Sequence, residues 1–291
     1  MNAETLRKFW KIPSLLPITS STVIFAVFAL LALAAPLIAP QNPYDPLQIF
    51  AWEASSRPGT TGSGGYVYFL GTDGLGRDIT SMIFYGLRIS LAVSLISTAI
   101  AGLIGLTAGV TAAYFGNRVD AIIMRTVDLF LSLPSMLIAL IAIVALGPGI
   151  DRIILALIIV QWANYARVAR AVALSERGKS YIDAAHLLRL PTFRVIIRHL
   201  LPNSIAPALT LVPIEVGHAI ALEATLSFLG LGVPVDQPSL GSAVANGFQY
   251  LMTGQYWISF FPGLALFGLI VSVNFVGEDI RRRFDPRSST R

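Results

Sequence analysis

Three groups of residues have the types and spacing to do chemistry. Gly178-Lys179-Ser180 reads like the end of a phosphate-binding loop, Glu215, His218 and Glu223 bring two carboxyls and an imidazole into one apolar stretch, and Asp73 and Asp78 sit in a glycine-rich segment. A phosphate loop needs G-x-x-x-x-G-K-[ST] between a strand and a helix, so that backbone N–H groups wrap the phosphates. Ala173 stands where the first glycine belongs, and an apolar run, not a strand, precedes the segment. Nucleotide binding is therefore not expected of this chain. Asp73 and Asp78 lack the alternating acidic ligands and terminal glutamate of a calcium loop, so the plain reading is a structural loop without metal. Neither H-E-x-x-H nor G-x-S-x-G occurs, and the absence of cysteine closes off disulfides and thiolate metal sites. The chain reads as non-catalytic, with no cofactor of its own.

Glu215 and His218 are three residues apart, on one face of a helix, where they can hydrogen-bond to each other. Ionisable groups within a membrane are costly and are functional candidates by default. Such a pair can relay protons in a self-sufficient proton-coupled carrier, touch cargo on a pathway, or tie helices together. Gln161, Asn164 and Asn274 are further pathway candidates, for which inter-helix hydrogen bonding is the plainer role. Glu223 lies in or beside the same stretch and is weighed with them.

The elements that must position these residues are set by composition. Of 291 residues 55% are apolar and only 13% charged, and the mean hydropathy is +0.70, against roughly a quarter charged in ordinary soluble domains. A bilayer core of about 30 Å takes roughly 20 mostly apolar residues per helix. Six stretches qualify, near 21–40, 89–114, 127–147, 152–173, 202–224 and 257–277. The fourth is short, so Arg167 and Arg170 are expected near its end, snorkelling toward the interface. The first follows "LRKFWK" as a signal peptide would, but its apolar run is too long for one and reads as an uncleaved anchor.

With a cytoplasmic N-terminus, the inside segments 1–20, 115–126, 165–200 and 278–291 hold 3, 2, 7 and 5 of the 21 lysines and arginines. That asymmetry is what the positive-inside rule describes, and it accounts for the basic balance without a nucleic-acid partner. The organisation expected is a cytoplasmic segment 1–20, a first span 21–40, an external segment 41–87, a five-helix transmembrane unit 88–280 with a cytoplasmic loop 174–203, and a cytoplasmic tail 281–291. Both termini then face the cytoplasm.

Within that loop, Ser180 and Asp183 have capping-box spacing and start a short helix at about Tyr181. Tyr181, Ala184, Ala185 and Leu188 follow at i, i+3, i+4 and i+7, a narrow apolar stripe, while Asp183, His186 and Arg189 lie opposite. Pro191 ends the pattern. A helix of about ten residues is not stable alone, and a small apolar face with a polar face of mixed sign suits a groove in a protein better than a lipid surface. A solvated loop is the bland alternative.

"YIDAAHLLRLPTFRVIIRHLLPN" (181–203) resembles the E-A-A-x-x-x-G…H-x-L-P-N loop of binding-protein-dependent ABC importer permeases. "GTDGLGRDITSMIFYGLRISL" (71–91), "EATLSFLGLGVPVDQPSLGSAV" (223–244) and "FFPGLALFGLIVSVNFVGEDIRRRFDPR" (260–287) are similar to the oligopeptide/dipeptide branch, in particular its second, C-type membrane subunit. The resemblance implies an all-α polytopic protein of the type I ABC importer kind, with six transmembrane helices and a cytoplasmic coupling helix, in a bacterial cell membrane. It implies a heterodimer with a homologous permease subunit, two ATP-binding subunits that hold ATP and Mg, an external solute-binding protein and a peptide cargo. Tyr181, Asp183, Ala184, Ala185, Leu188 and Arg189 would then be the docking residues, and Glu223, in "EATLSFLGLG", would stand at the external end of its span, in reach of water. Asp183 stands for the usual Glu, "PSLG" (238–241) for the usual "PSWG", and Arg189 for the usual Gly. At Arg189 left-handed geometry would cost roughly 1–2 kcal/mol, unless Pro191 supplies the break instead.

Overall fold

In hydrocarbon every backbone N–H and C=O must be paired within its own segment, so uncharged apolar runs become helices. The computed structural model describes residues 20–234 and 237–284; the expectations for residues 1–19 and 285–291 lie outside them. Helix α1 covers Ser20–Ile38, α2 Ile79–Phe115, α3 Asn117–Ser132, α4 Ser135–Leu146 and α5 Ile150–Arg177. A short α6, Ser180–Leu187, is followed by one turn α7, Thr192–Val195, a wide π turn Ile196–Leu200, and α8, Leu201–Leu209. Then come α9, Val212–Phe228, α10, Leu240–Phe248, and α11, Trp257–Phe284. A two-stranded ribbon, β1 Thr60–Thr61 with antiparallel β2 Val67–Tyr68, sits between α1 and α2.

α2 and α5 form the spine. Gly105 and Gly109 let the two backbones touch, because a Cβ at either would lie within 2.5 Å of a carbonyl oxygen, that of Trp162 or Ala166. Small residues four apart serve this purpose between membrane helices, where burial from water offers no drive to associate. Both glycines meet later residues of α5 as α2 advances, so the helices run parallel. The chain between them must therefore return across the membrane once.

That return is not the single helix expected at 127–147. α3 and α4 meet at 97°, because Pro134 excludes α geometry at Leu133, which adopts φ −98° and ψ 146°. At 1.5 Å per residue, the 12 residues of α4 reach only about 18 Å, so crossing needs both halves. The span expected at 202–224 is also broken, by 58° between Thr192–Leu209 and α9. Among the described residues three helices, α2, α5 and α11, are long and apolar enough to cross alone, up to five crossings result if each bent pair is one, and α1 is a shorter apolar helix.

At the end where α2 begins, residues 39–78 fold on buried polar contacts. Asp73 accepts from Arg77 Nε at 2.8 Å as an ion pair closed to solvent, and from the N–H groups of Leu75 and Arg77 at 2.9 Å. Asp78 caps α2 by accepting from Ser81 N–H at 2.7 Å. Buried Glu53 accepts from Tyr68 Oη and Ser63 N–H. Burial works to raise its pKa, yet these hydrogen bonds outweigh it and hold the carboxyl below its ordinary range. These acids thus build the loop.

Candidate functional site

At the opposite end, α6 is laid against the spine. Arg177 Nη1 donates to Ala113 O at 2.9 Å, fixing the end of α5 on α2. Ile182 N–H then donates to Lys179 O at 2.9 Å as α6 begins. Ile182 and Ala185 pack with Ala169 and Ala173 of α5, Val110 and Ala113 of α2, and Val195 and Leu200. Glu176 accepts from Tyr181 Oη at 2.6 Å and pairs with Lys179 at 2.5 Å, while Asn203 Nδ2 donates to Tyr181 Oη at 3.2 Å. Burial tends to raise the Glu176 pKa, but the bonds from Lys179 and Tyr181 and the Lys179 charge prevail and lower it. Burial and then the bond to Glu176 push Tyr181 up to about 12.

This corrects the stripe expected for docking. Ala185 is 4% exposed and belongs to the chain's own core. Tyr181, Asp183, Ala184, Leu187, Leu188 and Arg189 face outward. Two apolar rows run along α6, and the row containing Ile182 and Ala185 is the one the fold consumes. Leu187 is 85% exposed, Leu188 74% and nearby Phe193 74%; Leu187 and Phe193 escaped the sequence reading, which treated a single stripe. Arg189 takes the left-handed φ of +50°, and Leu190 N–H donates to Ala185 O at 3.1 Å. The glycine geometry of the Schellman end is kept with an arginine in it, and Pro191 does not substitute for it.

The candidate pathway residues separate into two groups. Gln161 Nε2 donates to Glu215 O at 2.7 Å and Asn164 Nδ2 to Glu215 Oε1 at 2.8 Å, joining α5 to α9. Thr98 Oγ1 reaches Gln161 Oε1 from α2 at 3.4 Å. His218 Nδ1 stands 4.0 Å from Glu215 Oε2, too far for the expected mutual hydrogen bond, and its Nε2 instead meets Ser135 Oγ at 3.2 Å. Asn274 is not part of this cluster. It bonds back to Ile270 O in its own helix at 2.9 Å and lies against Gly217.

Glu223 does not reach water. It is fully buried and accepts from Ser90 Oγ at 2.8 Å, Ser227 Oγ at 2.9 Å and Ser239 Oγ at 3.0 Å. This knot fastens α2, α9 and the start of α10. Arg167 and Arg170 likewise do not merely snorkel. They pair with Asp128 and Asp120 of α3 and hold the bent segment on α5.

The sequence between residues 103 and 290 matches the family described as binding-protein-dependent transport system inner membrane component. The chain is 38% identical over 223 residues to a putative peptide transport system permease protein of Brucella suis biovar 1, spanning 77% of this chain and 75% of that one. It is 34% identical over 256 residues to the di/tripeptide transport system permease protein DppC of Pseudomonas aeruginosa, spanning 88% and 83%. An inward-facing conformation of the MetNI methionine ABC transporter shares the fold, with a TM-score of 0.56 at 20% identity over 70% of this chain and 96% of the matched one. On these matches, the chain belongs to the family of binding-protein-dependent transport system inner membrane components.

Proposed function

We propose that the chain is a membrane-spanning permease subunit of an ATP-driven importer for dipeptides and oligopeptides, sited in a bacterial cell membrane with both termini cytoplasmic. A homologous permease subunit completes the pathway, two ATP-binding subunits bind ATP and Mg and hydrolyse the nucleotide, and an external solute-binding protein delivers cargo. The relatives' names support the cargo class. The observation that carries the coupling role is the outward row Tyr181, Ala184, Leu187 and Leu188, an apolar face held on the α2–α5 spine and open to a partner. Ile182 and Ala185 seat α6 so that motion of a docked ATP-binding subunit passes into α5 and α2 as a rigid displacement. Asp183 and Arg189 flank the face and set its charge.

The alternative of a proton-coupled carrier using Glu215 and His218 is not favoured. Glu215 is engaged by Asn164, and His218 stands beyond hydrogen-bond reach of it. Gln161, Asn164 and Glu215 act as the tie between α5 and α9, with half-buried His218 the member open to a pathway.

Leu188→Glu tests the coupling role. A carboxylate in the apolar contact should weaken association with the ATP-binding subunits at least tenfold, a loss of about 1.4 kcal/mol, and peptide uptake should fall with it. Thermal stability of the isolated chain should not move, because Leu188 touches little of it. Full association of the variant would overturn the docking face.

A further inference from the structure

Helix α3 turns one face to the chain and another away from it. On the inner face Asp120 pairs with Arg170 of α5, Val127 packs on Ala163 and Ala166, and the Phe130 ring meets that of Trp162 at 5.6 Å. At 3.6 residues per turn the outward side chains then divide into two edges. Arg118, Arg125 and Ser132, seven apart, make a polar edge, and Val119, Ile122, Leu129 and Leu133 make an apolar one beside it. Ile122 is 67% exposed and Leu129 59%. The acids of α3 are already committed, Asp120 to Arg170 and Asp128 to Arg167. No carboxylate among the described residues pairs with Arg118 or Arg125. The outward face therefore carries uncompensated positive charge along one side and bare hydrocarbon along the other.

The contacts with α5 also set depth. From Asp120 on Arg170 to Phe130 on Trp162, α3 descends past about eight residues of α5, roughly 12 Å. Trp162 belongs to the stretch of α5 between Arg152 and Arg167 that holds no charge and stands in hydrocarbon, whereas Arg167 and Arg170 mark where charge begins. Leu129 and Leu133 thus lie toward the acyl chains, and Arg118 and Arg125 toward the headgroups. A helix with arginine on one side and bulky apolar residues on the other suits that boundary. A protein covering the same face would have to supply two carboxylates and an apolar ridge in register. A lipid with an anionic headgroup supplies both in one molecule. We propose that the outward face of α3 binds an anionic phospholipid, Arg118 and Arg125 taking the headgroup and Ile122 and Leu129 lying along the acyl chains. The inference rests on the reading of the chain as a membrane-spanning permease subunit with residues 115–126 on the cytoplasmic side, and it adds a lipid partner to that subunit.

Contact quenching in the assembled transporter tests it. The chain has no cysteine, so with the other subunits made cysteine-free a bimane on Ile122→Cys reports on this face alone. The assembly is placed in phosphatidylcholine nanodiscs that contain a minor fraction of either phosphatidylglycerol or phosphatidylcholine with brominated acyl chains. Brominated phosphatidylglycerol should occupy the site at least about fivefold more readily, the effect of one basic residue at an anionic surface. Arg118→Gln together with Arg125→Gln should bring the two lipids level, and Arg118→Lys together with Arg125→Lys should keep the preference. Equal quenching by the two lipids, or a preference that the double glutamine variant retains, overturns the site. So does an absence of quenching by either lipid, which would show the face covered by another protein. Nanodiscs present both leaflets alike, so the result does not depend on which side residues 115–126 face. Peptide uptake by the same assembly in liposomes, with its solute-binding protein, separates the two readings. If no peptide is taken up but the arginine-dependent preference remains, the peptide-import reading falls and the lipid site stands.

Discussion

The two ends of the molecule hold their irregular chain by opposite means. Residues 39–78 are fastened by buried charge and hydrogen bonds, with Asp73 on Arg77, Asp78 on Ser81, and Glu53 on Ser63 and Tyr68. α6 rests on two apolar side chains, Ile182 and Ala185, and on pairs open to solvent around Glu176. A buried polar network is all-or-none, since each partner removed leaves another stranded. A small apolar seat with exposed pairs gives way in steps. The first construction suits a segment that must keep its shape, and the second suits a helix whose outward side chains remain uncommitted within the chain.

The largest effect should come from breaking the buried network. Asp73→Ala removes the acceptor of Arg77 Nε and strands a cation that is closed to solvent. Losing one member of a buried pair costs about 3–5 kcal/mol. The expected outcome is protease sensitivity throughout residues 41–78 together with a lower melting temperature, while amide exchange across α6 stays as in the wild type. Melting equal to wild type would show that residues 39–78 are not built on this pair.

The contrast also explains what the sequence could disclose. The apolar runs were legible because they obey one local rule, and so was α6, because capping and period are local. The bend at Leu133 was signalled by Pro134 but hidden by hydropathy, which averages across a break. The choice between the two rows of α6 was not legible, because both the Ile182–Ala185 row and the Leu187–Leu188 row are apolar and only the tertiary fold decides which is consumed. Glu223 was misjudged for a related reason. Of its serine partners, Ser90 lies 133 residues away in sequence, and no local pattern joins them. Asp73 and Asp78 are legible as loop-building acids because their surroundings lack every other pattern, and their bonds to Arg77, Leu75 and Ser81 do build it.

A smaller effect, of opposite sign, should come from relieving strain where α6 ends. Arg189 occupies φ +50°, a conformation that costs an L-residue roughly 1 kcal/mol and glycine almost nothing. Glycine also loses more freedom on folding, which offsets part of the gain. Arg189→Gly should therefore slow amide exchange in residues 180–190 by at most about fivefold, the equivalent of 1 kcal/mol. Residues 39–78 should not respond, since their fastening is independent. Faster exchange at 180–190 would mean that the arginine contributes more through its side chain than its backbone costs.

The smallest effect concerns acid and should distinguish the ends by exposure. The Glu176 carboxyl, paired with Lys179 and Tyr181, has a pKa below its ordinary 4.5. A carboxyl lowered on folding contributes stability that is fully present above its unfolded value and is lost as pH falls through the folded one. Between pH 7 and 5 the seat of α6 should therefore be unchanged, and below 4.5 amide exchange at 179–187 should accelerate. Because the pair is exposed and screened, the change should stay within the range of surface ion pairs, under about 1 kcal/mol. Glu176→Gln should exchange slightly faster at pH 7 and lose the acid step altogether. Glu53 is also lowered, so residues 53–68 should loosen in the same window, but as a cooperative unit whose amides change together. If 53–68 loosened amide by amide while 179–187 opened at once, the two constructions would have been assigned to the wrong ends.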